Sequence, residues 1–233
     1  EEVAKKPKGG IGELLKNKYF SYIFLLMIFS TLARVFVDYS FMAVSRENFG
    51  SSLTAFFGIF FGLLKVIELI INTFLAGRLL SRYGVRLGLL ILPFLFTVFA
   101  VIGIISYWFG IASMIFLALA MNKLFDKTVR TSLENPSFKT LYQPLDNQTK
   151  LMVQTQTEGN AGQMAVFIAG GLLLLFTYIF PNFSMMDSTY FLCFILVVWL
   201  FIARNTVKGY RNIVIEKLHD YKYVDLLDAT VRP

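Results

Sequence analysis

The feature that most constrains this chain is the length of its apolar blocks. Taken from turn to turn, six can be marked off, at about Tyr19–Ser40, Leu53–Leu80, Leu87–Trp108, Phe109–Phe125, Leu151–Phe180 and Met185–Ile202. A hydrocarbon core of ~30 Å is crossed by about 20 apolar residues in helical form, which these blocks supply. The second and fifth outrun a bilayer and are expected to tilt or project into water. Of 233 residues, 56% are hydrophobic and 16% charged, a balance that suits lipid as the solvent. The expected fold is all-α, a polytopic membrane protein of six transmembrane helices.

Orientation follows from lysine and arginine, which gather on the cytoplasmic side of short connections. Lys5, Lys6, Lys8, Lys16 and Lys18 precede the first block, and Arg78, Arg82 and Arg86 follow the second. Lys127, Arg130, Lys139 and Lys150 follow the fourth, and Arg204, Lys208, Arg211, Lys217, Lys222 and Arg232 follow the sixth. Against these, Arg46 stands alone on the other face. Both termini are therefore expected in the cytoplasm. The chain divides into a basic arm or linker over 1–18, a transmembrane domain over 19–204 with a cytoplasmic link over 126–150, and an amphipathic tail over 205–233 in which Tyr210, Ile213, Val214 and Leu218 share a face. Pro136 and Pro144 are expected to break the link, and Pro93 to bend the third span. Because the basic residues are spread over every cytoplasmic connection, the net charge of +7 does not point to nucleic acid.

Charges inside a membrane cost from roughly 2.5 kcal/mol upward, so they normally face a protein interior or a wet cavity. Arg34 and Asp38 share a face of the first span; Lys65, Glu68 and Asn72 share a face of the second. Lys123 and Asp126 end the fourth span, and Glu158 lies near the start of the fifth among Gln154, Asn160 and Gln163. The third and sixth blocks carry no charge from Leu87 to Ser106 and from Tyr190 to Ile202. This period of three suggests two three-helix repeats, with spans one, two, four and five around something wet and spans three and six outside. Small residues, Gly58 and Gly62 in span two and Gly159, Gly162, Ala165 and Ala169 in span five, suit close helix contact.

One cysteine, Cys193, and one histidine, His219, cannot assemble a disulfide framework or a Cys/His metal site. No Ser-His pair or Gly-rich phosphate loop lies in any span, so neither an enzyme nor a cofactor is expected.

The connection after the second span reads Gly77-Arg78-Leu-Leu-Ser-Arg82-Tyr-Gly84-Val-Arg86. It resembles the cytoplasmic loop signature of the major facilitator superfamily, Gly-x-x-x-Asp-Arg-x-Gly-Arg-Arg, with Ser81 in place of the usual acid. Asp38-Tyr39-Ser40-Phe41, Phe56-Phe57-Gly58 and Leu141-Tyr142-Gln143-Pro144-Leu145 are similar to the ATP/ADP translocase family of plastids and intracellular bacteria, and closer to its bacterial relatives that continue into HEAT repeats. The resemblance implies the C-terminal six-helix half of a transporter in a bacterial inner membrane, with nucleotide as one candidate solute.

The expected function is secondary transport of a small anionic solute, an antiporter being one form. Arg34, Asp38, Lys65, Glu68, Asn72, Lys123, Asp126 and Glu158 would line its pathway. The alternative is a non-transporting membrane anchor or scaffold, in which the same charges only lock helices together. Besides the lipid bilayer, the expected partners are a further six-helix half preceding Glu1 or a second copy of the chain, and a cytoplasmic helical-repeat domain beyond Pro233.

Overall fold

The computed structural model describes residues 17–180 and 183–231, with side chains described as far as Ile215. The expected properties of Lys5, Lys6, Lys8, Lys16 and Leu218 lie outside these side chains. Among the described residues every element is helical. Helix α1 (Lys18–Phe49) begins where the Asn17 side chain accepts the Tyr19 N–H at 3.0 Å, and ends at Gly50, whose φ of 46° turns the chain into the 3-10 turn Gly50–Ser52. Helix α2 (Leu53–Ile70) continues through a π-helical segment, Ile71–Ala76, into α3 (Gly77–Trp108). Helix α4 (Ala112–Val129), the π segment Arg130–Glu134 and α5 (Asn135–Leu141) follow without a break in helical backbone. After a turn come α6 (Asn147–Gln154), a third π segment Thr155–Ala161, α7 (Gly162–Ile179), and the long α8 (Met185–Val231).

Three stretches of helix are long and apolar enough to cross a membrane: Lys18–Trp108, Asn147–Ile179 and Met185–Ile215. The first holds 91 residues. At 1.5 Å per residue it is several times the depth of a bilayer. It folds back at Gly50, where the Phe41 and Phe60 rings meet across the turn, and is interrupted at Gly84, where φ 64° and ψ −165° break α3. That combination of angles belongs almost solely to glycine. Pro93 is carried inside α3, and the break lies at Gly84.

The core forms where α8 packs against α1 and α3. Every third or fourth residue of α1 is buried, among them Ile23, Leu26, Ala33, Phe36 and Val37; Leu89, Leu92 and Phe96 of α3 and Leu192, Leu196 and Trp199 of α8 meet them. Phe41 joins α1 to α2 through the rings of Phe56, Phe57, Phe60 and Phe61. Gly88 lets α3 approach α5: a Cβ there would lie 1.8 Å from Ser137 Oγ and 3.0 Å from the Leu133 carbonyl.

Two expectations are corrected. Within 126–150 a helix runs as far as Leu141, and a turn follows between Tyr142 and Asp146. Pro136 does not break it, because the wide π turn just before has already given up regular i to i−4 bonding where the proline ring would clash. The Gly77–Arg86 stretch is helical up to the break at Gly84 rather than an open loop. Within this chain α3 and α8 supply much of the core, and α2 and α7 leave Ile59, Leu63, Leu69, Phe167 and Leu174 uncovered. Gly58 and Gly62 face open space.

Candidate functional site

On the continuous helix from Ala112 to Leu141, residues three and four apart stack on one face. Lys123, Asp126, Arg130 and Glu134 occupy that face and meet Ser30 and Asp38 of α1. Lys123 donates to Asp38 and lies 3.9 Å from Asp126. Arg130 donates from Nε to Asp126 Oδ1 at 2.8 Å and from Nη1 to Glu134 Oε2, also at 2.8 Å. Ser30 Oγ accepts from Arg130 at 2.5 Å and donates to Glu134 Oε1 at 2.6 Å, closing the chain of charges onto α1.

Burial makes this pairing obligatory. Lys123, Asp126 and Glu134 are 3%, 0% and 1% exposed. Charges so far from water persist only when matched by partners and hydrogen bonds. The chain holds three carboxylates, Asp38, Asp126 and Glu134, against two cations, Lys123 and Arg130. Arg34 supplies the balance: it lies midway between Ser30 and Asp38 on one face of α1. It takes part in none of the ion pairs found among the described residues. The amide of buried Asn122 and Oδ2 of Asp126 have no hydrogen-bond partner among the described residues, which marks a polar interior with bonding capacity to spare.

Beside the charge chain lies a polar cleft of about 290 Å³. Its walls are Met27, Ser30, Thr31 and Arg34 of α1, Arg130, Asn135 and Phe138 on the continuous helix, Glu158 of the third π segment, and Gly162, Gln163 and Val166 at the start of α7. Each of the three walls thus contributes one charged group, two guanidinium groups and a carboxylate. The phenol of Tyr142, in the turn below, is pushed above its ordinary range by burial and then by the charge of Glu158, so it stays protonated. A larger groove of about 560 Å³ between α7 and α8 is walled by Phe176, Phe183, Phe191 and Phe194 with Asp187 as the only charge among the described residues, and that carboxylate is engaged in capping α8 through Ser184.

Of the residues singled out from sequence, Arg34 and Glu158 line the cleft, and Asp38, Lys123 and Asp126 belong to the charge chain. Arg34 and Asp38 do not pair with each other; Asp38 is taken by Lys123. Lys65 and Glu68 do pair, at 2.8 Å, yet the Lys65 side chain is 72% exposed and the pair lies away from the cleft. Asn72 is exposed on the π segment after α2. Arg78, Arg82 and Arg86 are exposed, Arg82 lying over the Tyr83 ring at 5.6 Å. Gly77 is an ordinary helical residue, and Gly84 alone of the motif does a backbone task.

Sequence reasoning missed Ser30, Arg130 and Glu134. The spacing of Asp126, Arg130 and Glu134, an acid and a base and an acid four apart, was the available signal. Among the described residues no three His, Cys, Asp or Glu side chains come together as a metal site would need.

These features define an all-helical protein with helices able to cross a membrane and a charged, partly open interior. No family model matches the chain, and no curated protein or solved structure matches it.

Proposed function

We propose that this chain is a six-span half of a secondary transporter for a small anionic solute, with the cleft between α1, α5 and α7 as its part of the pathway. The observation that carries this reading is the convergence of Arg34, Arg130 and Glu158, from three separate walls, on one cleft beside a buried charge chain. Neutralised buried charges need not adjoin a cavity; here they do, and the guanidinium groups of Arg34 and Arg130 in its lining suit an anion. Asp38 is the member with most access to water, its side chain 34% exposed against 3% for Lys123. It is the carboxylate we assign to proton exchange: protonation frees Lys123, and an anion in the cleft answers that charge.

Support for two triplets comes from the order of elements. The second helical run of each half contains a π segment, Ile71–Ala76 in one and Thr155–Ala161 in the other. The resemblance of Gly77–Arg86 to the facilitator signature supports the same assignment. The exposed faces of α2 and α7 are where we place a second half, since alternating access uses two units rocking about a midplane site.

The test is uptake into proteoliposomes carrying the chain, with labelled ATP and labelled phosphate as probes. Saturable uptake lost on Arg34→Gln and kept on Lys127→Gln supports the reading. Saturable uptake insensitive to Arg34→Gln, or none with either probe while the protein is inserted and folded, overturns it in favour of an anchor whose charges only fasten helices.

A further inference from the structure

A second charged recess lies away from the cleft, at the opposite edge of the core. It holds about 380 Å³ between α3 and α8, and its walls are Arg86 and Leu90 from α3 and Arg204, Val207, Lys208 and Arg211 from α8. Four cations face one recess, and among the described residues its lining includes no carboxylate. None of the four takes part in an ion pair found among the described residues. Arg204, Lys208 and Arg211 stand at four- and three-residue spacing, so like charges are stacked on one helical face, an arrangement that costs stability unless an anion sits between them.

We propose that this recess binds the phosphate of an anionic phospholipid from the surrounding bilayer. The recess sits where the apolar run of α8 ends after Ile202, the level at which lipid headgroups begin. An apolar strip leads from it in the direction of the hydrocarbon. Leu90 is followed by exposed Phe94 and Val98 on α3, and Arg204 by exposed Phe201 and Val197 on α8, each three or four residues on. A free phosphate would use the guanidinium groups and leave that strip idle; a phospholipid uses both. Guanidinium forks match phosphate oxygens in pairs, which favours this chemistry over a carboxylate-bearing peptide. The proposal rests on α3 and α8 crossing a bilayer and not on transport.

Native mass spectrometry of the purified 233-residue chain, titrated with dioleoylphosphatidylglycerol and dioleoylphosphatidylcholine, tests it. The glycerol lipid is expected to be retained about tenfold more than the choline lipid. Arg204→Gln with Arg211→Gln should bring the two level, since each basic residue near an anionic headgroup is worth about fivefold. Lys139→Gln with Lys150→Gln removes equal charge elsewhere and should leave the ratio unchanged. Should the α8 variant fold poorly, Arg86→Gln on the other wall reads the same ratio. Equal retention of both lipids overturns the proposal, as does equal loss in both double variants, which indicates diffuse charge attraction. Complete displacement of the glycerol lipid by millimolar inorganic phosphate also overturns it, in favour of a free-anion site. Extraction of the chain from membranes by alkaline carbonate reports separately on whether it crosses a bilayer.

Discussion

The ammonium group of Lys123 on α4 donates to the Asp38 carboxylate on α1, joining two helices across 85 residues of sequence. Lys123 is almost wholly out of solvent and Asp38 only partly so. Removing Asp38 therefore leaves a buried cation with only Asp126, 3.9 Å away, to answer it.

Asp38→Asn is expected to lower stability by roughly 3 kcal/mol, the lower end for breaking a buried pair because Asp38 keeps some water. Asp38→Asn with Lys123→Met should recover most of that loss. Thermal unfolding in detergent of the two single variants and the double variant gives the coupling. A double variant as unstable as the sum of the singles would mean that the pair is not a unit.

Arg130 bridges Asp126, Glu134 and Ser30 with three nitrogen atoms of one planar group. A lysine carries the charge but not the fork, so Arg130→Lys should cost about 2 kcal/mol. Arg130→Gln leaves buried Glu134 without its ion-pair partner and Asp126 with only Lys123, 3.9 Å away, and is expected to prevent folding unless Glu134→Gln accompanies it. Expression and monodispersity on size-exclusion chromatography check both; a parent-like Arg130→Lys protein would contradict the geometry.

Two glycines of α3 are predicted to differ in kind from a third. At Gly84 the obstacle is backbone strain, at φ 64° with open space around it, and Gly84→Ala should cost about 1–3 kcal/mol. At Gly88 the obstacle is the Leu133 carbonyl and Ser137, so Gly88→Ala should cost about 1–3 kcal/mol by forcing α3 from α5. Gly77 is helical and unobstructed, and Gly77→Ala should gain about 0.5–1 kcal/mol. Melting temperatures rank the three.

The turn near Gly50 and the break at Gly84 are expected on opposite faces of the membrane, Gly84 on the cytoplasmic face, from the bias of basic residues. In a Cys193→Ser background, Ser51→Cys should react with an impermeant maleimide in intact cells and Ser81→Cys only after lysis. Equal labelling of both from outside would refute the orientation.

The helices were legible because apolar runs bounded by Gly50, Gly84, Gly110 and Pro144 leave few places to turn. Their ends were not. Asp126, Arg130 and Glu134 look like solvent-facing residues when counted singly, and only their mutual neutralisation at four-residue spacing keeps them inside a helix. Pro136 reads as a stop unless one knows that a wide turn precedes it. Partner choice is less legible still. Spacing relates residues on one helix, so it paired Arg34 with Asp38, whereas the observed partner Lys123 comes from another helix and is fixed by how α1 and α4 pack.

Arg130 and Glu134 lie in one π segment and Glu158 in another, and the Ile71–Ala76 segment touches the first. A wide turn of this kind is to a helix what a dislocation is to a crystal: one residue too many, accommodated over a single turn. Shifting it by one position turns everything beyond it by about 100° and slides it by about 1.5 Å, while each bond broken is replaced by a neighbour. Two of the three segments, the one bearing Arg130 and Glu134 and the one bearing Glu158, thus place such a dislocation at the wall of the cleft, where it sets which side chains beyond it face the same way as those before it.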